Sequence, residues 1–191
     1  MGASVGAIGE TRERILDAGA RMLRTRSYFG FSFNDIALEV GVRKASLHHH
    51  FGSKEALALE LLGAATLRFQ AWCESAPTAP AAALRAFFAM YRDTLSAGQA
   101  VCPGGSFAPG WDCTGDALKI AVQQLRASQI DWLAGVFRAQ DDERSRVEAA
   151  ALAASVFATC QGALVSARVS GKAKDFDMAL TAVRALAGPG E

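Results

Sequence analysis

The sequence has no long run of apolar residues. None approaches the roughly 18 to 20 residues that a membrane-spanning helix needs, although 51% of the 191 residues are hydrophobic. The first ten residues, MGASVGAIGE, lack the basic start and the long apolar segment of a signal peptide. We therefore expect a cytoplasmic protein with no membrane partner, and we interpret residues 1–10 as a flexible arm.

Histidine and cysteine are also scarce. The only histidines are His48, His49 and His50, so a histidine-based hydrolytic triad cannot be assembled beyond residue 50. Adjacent helical positions point about 100° apart, so these three rings do not converge on one metal ion. The four cysteines contain no C-x-x-C pair, and a reducing cytoplasm argues against a disulfide framework. We expect no enzyme activity, no cofactor and no metal.

Charge is nearly balanced. The chain has 20 Lys and Arg against 19 Asp and Glu, and a net charge of +1 does not by itself indicate a nucleic-acid binder. Residues 1–58 hold eight Lys and Arg against six acidic residues, together with all three histidines. The N-terminal part is therefore the basic end, and binding to nucleic acid would need a local cationic face.

A stretch near the N-terminus predicts two short helices joined by a tight turn. Ser32 can cap a helix over 33–39, whose apolar positions recur at i, i+3, i+4 and i+7: Phe33, Ile36, Ala37 and Val40. Gly41 suits a sharp reversal, and a second helix from about Lys44 buries Leu47 and Phe51. Its outer face is cationic and rich in donors: Arg43, Lys44, Ser46, His48 and His49. This pattern predicts a helix-turn-helix that fits the major groove of DNA.

The same stretch resembles the DNA-binding domain of the tetracycline-repressor (TetR) family. The resemblance covers about residues 10–62 and is carried by Phe31, Ile36, Ala37, Gly41, Val42, Ser46, Leu47, His49, His50, Phe51, Ser53, Lys54 and Leu57. It implies an all-helical dimeric transcriptional regulator, usually a repressor that a small molecule releases from a palindromic operator. By the same resemblance, Ser32 and Lys54 contact the DNA backbone and the outer face of the second helix meets the groove. The family most often has Tyr where His48 stands.

The rest of the chain predicts further helices around a candidate pocket. A long helix from Ser53 to about residue 75 would link the DNA-reading part to helices over about 80–97, 116–140, 145–169 and 175–187. The segment 100–115 is loop-like, because Cys102 to Gly115 contains two prolines and four glycines besides two aromatic residues. We predict that the effector pocket is lined by Phe88, Tyr91, Cys102, Phe107 and Trp111. The alternative is that the aromatic stripe over 80–97 is ordinary core.

Cys102 is a candidate redox or electrophile sensor. It precedes Pro103, which suits the first position of a helix, and a thiol at a helix N-terminus is stabilised as thiolate. Cys102-Pro-Gly-Gly also resembles a degraded Gly-Cys-Leu-x-Gly motif of one branch of the TetR family, some members of which sense electrophiles or oxidants. Cys113 would be its resolving partner. The alternative is a small buried apolar residue.

The last two predicted helices are apolar on more than one side, and the resemblance implies a four-helix dimer interface there. The predicted interface residues are Ala150, Ala154, Ala158, Val165, Phe176, Leu180 and Val183. The alternative is that they close the core of a monomer.

Together these predictions describe an all-α chain of about nine helices. Residues 1–53 would form a three-helix DNA-binding domain, and residues 54–191 a larger domain that binds ligand and dimerises. The expected function is a ligand-responsive or oxidant-responsive transcriptional repressor, whose partners are double-stranded DNA, a second copy and a small-molecule inducer. The alternative is a small all-α ligand-binding protein or thiol-based enzyme that does not bind DNA.

Overall fold

The computed structural model describes residues 2–96, 98, 101–141 and 143–185, with the backbone alone at residues 2–8 and 96. Within these ranges it contains nine α-helices and no strand, which confirms the predicted all-α fold. The helices are α1 (Gly2–Arg26), α2 (Phe33–Val40), α3 (Lys44–Phe51), α4 (Lys54–Ser75), α5 (Pro80–Ser96), α6 (Asp116–Gln140), α7 (Arg146–Ser170), α8 (Ala173–Ala179) and α9 (Thr181–Arg184). Short 3-10 turns lie at Tyr28–Gly30, Gly105–Phe107 and Trp111–Cys113.

Local chemistry sets the bounds of the two short helices. The Ser32 hydroxyl accepts a hydrogen bond from the Asp35 backbone N–H, and the Asp35 carboxylate accepts one from the Ser32 backbone N–H, so a capping box begins α2. Gly41 ends α2 in the left-handed conformation at φ 75°, where a side chain would be strained. Ser53 caps α4 by accepting from the Ala56 N–H at 3.0 Å. The predicted cap at Ser32 and the predicted reversal at Gly41 are thus observed.

Two predicted helix bounds were wrong. Residues 2–10, interpreted as a flexible arm, are the first turns of α1, because no proline interrupts them; residue 1 lies outside the described residues. The last predicted helix is divided at Leu180 into α8 and α9. This break allows Phe176 and Leu180 to be fully buried while Arg184 reaches the Asp177 carboxylate at 2.9 Å. Residues 186 and 187 of that predicted helix lie outside the described part of the chain.

The helices enclose two apolar clusters. The first is formed by α1 to α4 and also contains Phe107 and the early α6 residues Leu118, Val122 and Leu125. The second is formed by α5, α7 and α8 with the later α6 residues Leu133 and Phe137 and with Phe69 of α4. Both α4 and α6 therefore extend through the two clusters. The helix-turn-helix is packed on the rest of the chain by residues far from it in sequence, and a domain boundary at residue 53 stays a prediction.

Candidate nucleic-acid interface and effector cavity

The outer face of α3 carries the cationic residues that the sequence placed there. Leu47 and Phe51 are buried in the first cluster, which fixes the orientation of the helix. The opposite side leaves Arg43, Lys44, His48 and His49 exposed and Ser46 half-buried. Four of these five side chains are exposed to solvent, three of them on the eight-residue helix and Arg43 at its N-cap. A helix of this size fits the major groove, where such side chains donate to phosphates and base edges.

The His48 side chain also contacts the turn that follows α3. Its Nδ1 lies 2.9 Å from the Gly52 carbonyl oxygen, and its ring meets the Phe33 ring edge to face with centroids 5.0 Å apart. A carbonyl only accepts, so Nδ1 carries a proton in this contact. The exposed imidazole is therefore held in one orientation by α2 and by the turn after α3.

Ser32 and Lys54 are engaged within the protein. The Ser32 hydroxyl donates to Asp35 Oδ2 at 2.6 Å, and the carboxyl group of Asp35 has its pKa lowered by hydrogen bonds from Ser32. The Lys54 ammonium donates to the carbonyl oxygens of Tyr28 and Phe31 and lies 4.3 and 4.5 Å from the centres of their rings. Burial lowers the pKa of Lys54, and Asp35 opposes that shift. Two of the three ammonium protons thus hold the α1–α2 connection, and contact of either residue with DNA stays a prediction.

A mainly apolar cavity of about 270 Å³ lies where the two clusters meet. Eleven residues from α1, α4, α5, α6 and the segment 101–115 line it: Arg24, Ala65, Arg68, Phe69, Trp72, Met90, Tyr91, Thr94, Cys102, Pro103 and Leu125. Tyr91 and Cys102 were predicted to line the effector pocket and do lie in this wall. Trp72 stacks on Phe69 with ring centroids 5.7 Å apart, so one side of the cavity is aromatic.

Three predicted lining residues lie elsewhere, and the prediction is corrected for this cavity. Phe107 is fully buried in the first cluster, where it stacks on Tyr28 at 4.9 Å. Trp111 is half-buried and packs against that same cluster. Phe88 is buried in the second cluster and does not reach the cavity. Phe107 thus packs on the connection between α1 and α2, and Trp111 packs against the same cluster.

A buried hydrogen-bond network joins three helices behind the cavity wall. The Tyr91 hydroxyl of α5 donates to Gln129 Oε1 of α6 at 2.5 Å and accepts from Gln161 Nε2 of α7 at 3.1 Å. Burial raises the pKa of Tyr91 well above its ordinary value. The hydroxyl therefore stays neutral and keeps both bonds.

The four cysteines are free thiols in different surroundings. Cys102 is buried in the cavity wall, Cys113 is exposed, Cys73 is half-buried, and Cys160 is buried in the second cluster. Burial raises the pKa of Cys160 to about 12, which leaves it an inert apolar residue. Cys102 differs because it borders the cavity near the Arg24 guanidinium and the Tyr91 side chain.

Comparison with known proteins agrees with this geometry. Residues 15–61 match the family described as "Bacterial regulatory proteins, tetR family". The HTH-type transcriptional regulator LmrA of Bacillus subtilis (strain 168) is 39% identical over 83 residues, which cover 41% of this chain and 44% of that relative. The match therefore spans less than half of that relative's length.

Solved structures extend the likeness to nearly the whole chain. A TetR-family transcriptional regulator from Agrobacterium tumefaciens has a TM-score of 0.85 at 25% identity, covering 93% of this chain and 97% of its own. A TetR transcriptional regulator from Legionella pneumophila has a TM-score of 0.81 at 26% identity, covering 92% and 94%. Residues 15–61 therefore carry a segment of the tetR family of regulatory proteins, and the chain as a whole shares the fold of these two TetR-family structures.

Helix α7 exposes a stripe of small and apolar residues. They recur every three or four positions along the side opposite the core: Val147, Ala151, Ala154, Ala158, Gly162, Val165 and Val169. Val147 and Val169 are 80% and 83% exposed. By length and composition, α7 is the one helix among the described residues that could cross a membrane, and 39% of its most apolar window is buried. The buried core helix of a soluble protein passes the same test, and the stripe belongs to the part of α7 that is not buried.

The predicted dimer residues divide into two groups. Ala150, Ala158 and Val165 are exposed, and Ala154 and Val183 are half-buried, so these remain available to a second copy. Phe176 and Leu180 are fully buried within the subunit. The prediction that they lie in the dimer interface is therefore corrected. Their side chains fill the second cluster because the break at Leu180 directs both of them inward.

Sequence reasoning missed the cationic side of the cavity. Arg24 and Arg68 line it together with Trp72, and the sequence analysis assigned neither arginine to the effector pocket. The Val101 N–H donates to the Arg24 carbonyl oxygen at 3.1 Å and holds the last turn of α1 against the segment 101–115. No local pattern marks an arginine for such a place, since its partner lies 77 residues away.

Proposed function

We propose that this chain is a cytoplasmic transcriptional regulator that binds a palindromic operator as a homodimer, acts as a repressor, and is released from DNA by an effector in the cavity. The observation that carries the proposal is the exposed cationic face of α3, held outward by buried Leu47 and Phe51. In this proposal residues 1–53 read DNA, and residues 54–191 bind the effector and dimerise.

The DNA contacts follow from the exposure of each side chain. Arg43, Lys44 and His49 project from α3 toward the groove, and His48 presents its second ring nitrogen from a fixed position. Ser32 and Lys54 add backbone contacts at the starts of α2 and α4. Because cations that meet phosphates displace counterions, affinity should fall steeply with salt concentration.

Support for a second copy comes from α7. Its exposed stripe is long, apolar and formed of small side chains, which allow two helices to approach closely. Val165, Ala158 and Ala154 lie along its middle, and exposed Met178 of α8 lies nearby in the chain. An exposed apolar surface of this kind marks an interaction site on a soluble protein. A second α7 related by a two-fold axis presents the same stripe.

The segment 101–115 connects the cavity to the helices that support the helix-turn-helix. Cys102 and Pro103 border the cavity, and Phe107, four residues on, stacks on Tyr28. The other contacts of the Tyr28 ring include the Lys54 ammonium at the start of α4. A ligand that displaces this segment would therefore move the α1–α2 connection and the first turn of α4, which together support the helix-turn-helix.

Operator binding measured against salt tests the proposal. The wild-type dimer should bind a palindromic site with a steep negative dependence on salt concentration. Lys44→Gln should weaken binding and lower the slope of log K against log salt by about 1 if Lys44 meets one phosphate. Lys174→Gln, which removes an exposed lysine from α8, is the matched control and should leave the slope unchanged. Equal effects of the two variants would contradict the proposed DNA-reading role of α3.

A further inference from the structure

We propose that the effector cavity takes a compact organic monoanion, a carboxylate with an apolar body about the size of one aromatic ring, held between Arg24 and Arg68. This inference rests on the proposed function, since it names the chemical class of the effector. It also assigns Arg24 of α1 and Arg68 of α4 as the residues that bind the anionic group.

The charges of the cavity lining favour an anionic ligand. Its lining contains two arginines and no acidic residue. Neither Arg24 nor Arg68 forms an ion pair among the residues that the structure describes, whereas other arginines such as Arg92 and Arg184 pair with Asp177. Two neighbouring cations that lack a counter-charge repel each other, and Arg24 is in addition partly removed from water. An anion between them relieves this repulsion and receives charge-assisted hydrogen bonds.

The two guanidinium groups are close enough to sense one another. Burial lowers the pKa of Arg24; Cys102 opposes this shift, and the charge of Arg68 adds to it as the smallest of the three influences. The Arg24 Nε donates to the Val101 carbonyl at 3.4 Å, and among the residues that the structure describes the terminal nitrogens of Arg24 have no acceptor. Arg68 is exposed, which places it at the mouth and Arg24 farther inside.

The remaining lining sets the size and character of the ligand body. Phe69, Trp72 and Met90 give an apolar and largely aromatic wall. The volume of about 270 Å³ lies below the range of roughly 300 to 1,000 Å³ typical of drug-sized ligands. The Tyr91 hydroxyl already bonds two glutamines and offers little to a ligand. Polar recognition therefore falls on the two arginines.

The position of the arginines gives the anion a mechanical effect. Arg24 lies in the last turns of α1, which belongs to the DNA-reading part, whereas Arg68 lies in the distal half of α4. A carboxylate bound to both fixes the end of α1 relative to α4. The segment 101–115 is attached to the same end of α1, because Val101 forms hydrogen bonds with Arg24 through both its N–H and its carbonyl.

A matched pair of small probes tests the inference on the full-length protein. Phenylbutyrate carries the carboxylate, and phenylbutyramide has the same skeleton without charge. Binding is followed by ligand-observed NMR titration and by tryptophan fluorescence, to which Trp72 contributes, at constant ionic strength. We expect the carboxylate to bind at least about tenfold more tightly than the amide. Arg68→Gln should weaken phenylbutyrate by about tenfold and leave the amide unchanged.

Arg85→Gln is the control, because Arg85 is exposed on α5 and lies outside the cavity. It should bind both probes as the wild type does. Arg24→Gln should resemble Arg68→Gln; if it fails to fold, the exposed Arg68 still decides. Equal affinity for the two probes, no binding of either, or equal losses in Arg68→Gln and Arg85→Gln would overturn the inference. A preserved anion preference without operator binding would instead count against the proposed function alone.

Discussion

The hydroxyl of Ser32 caps α2 in the free protein and is also predicted to contact a phosphate. Two substitutions separate these roles. Ser32→Ala should cost about 1 kcal/mol of stability, whereas Ser32→Gly should cost only a few tenths, because glycine tolerates the N-cap position. Both lose the hydroxyl. If affinity for the operator falls equally in both variants, the phosphate contact is responsible; if it falls only in Ser32→Ala, the cap is. Chemical denaturation and operator titration give the two readouts.

The same cap carries a pH dependence. The pKa of Asp35 is lowered mainly by its hydrogen bonds with Ser32, so the ionised carboxylate favours the folded state. That contribution is present above the ordinary pKa of 3.8 and is lost as pH falls through the lowered value. The acid limb of a stability profile should therefore be less steep in Asp35→Asn than in the wild type. An unchanged acid limb would contradict this role of Asp35.

Tyr91 has a partner on each side, so its hydroxyl should matter more than that of the other tyrosine. Tyr91→Phe leaves Gln129 and Gln161 without their bonds in a buried site and should cost about 1 to 3 kcal/mol in chemical denaturation. Tyr28→Phe is the control, since the Tyr28 ring keeps its stacking on Phe107 and its hydroxyl group is less deeply placed. Equal losses would mean that the network contributes nothing specific.

Cys102 is the thiol that a small electrophile entering the cavity would meet. If it is the sensor, operator binding by the wild type should fall after treatment with an alkylating reagent, and binding by Cys102→Ser should not. Cys113→Ser controls for the exposed thiol, which reacts without facing the cavity. Mass spectrometry locates the adduct. Release that persists in Cys102→Ser would remove the sensor hypothesis and leave the cavity to reversible ligands.

Residue-level prediction succeeded where the determinants are local. The outward side chains of α3 follow from helical spacing, since Leu47 and Phe51 are four residues apart and must face the same way. It failed for Phe107 and Arg24, because each is placed by a residue more than 70 positions away in the chain. An aromatic residue in a loop has the same local pattern whether it lines a cavity or packs on a distant helix.

At the scale of elements, the stripe on α7 makes a strong prediction about assembly. Ala158→Glu places a carboxylate in the middle of the stripe. In a two-fold symmetric dimer, each subunit contributes one such carboxylate to the interface. A buried charge without a partner is costly, so the dimer dissociation constant should rise at least about 100-fold in sedimentation velocity. Gln70→Glu on the exposed side of α4 is the matched control and should remain dimeric. An Ala158→Glu dimer as tight as the wild type would place the interface elsewhere.

Helix bounds show which elements a sequence determines. The starts of α2, α4 and α7 were predicted closely, and in the structure each of these helices begins after a capping serine. The break at Leu180 has no such signal. It follows from tertiary packing, since Asp177 binds Arg92 of α5 as well as Arg184 of α9. The early start of α1 likewise lacks a capping residue that a sequence pattern could locate.

At the scale of the molecule, the distance between the two DNA-reading helices should be fixed. Only Gly52 and Ser53 separate α3 from α4, and α4 continues without a break for 22 residues into both apolar clusters. The helix-turn-helix therefore cannot swing freely relative to α7 and its stripe. In a symmetric dimer the two α3 helices should meet half-sites about 34 to 36 Å apart on one face of DNA.

Changing the spacing between half-sites tests this rigidity. Inserting roughly five base pairs turns one half-site to the opposite face, and roughly ten restore the face but add about 34 Å of separation. A rigid dimer should lose specific binding with both insertions and retain only the salt-dependent, non-specific affinity. A flexibly tethered pair would recover with the longer insertion, and independent monomers would be indifferent to either. The Ala158→Glu variant, already dissociated, should show no further loss with either insertion, because its α3 helices no longer share one frame.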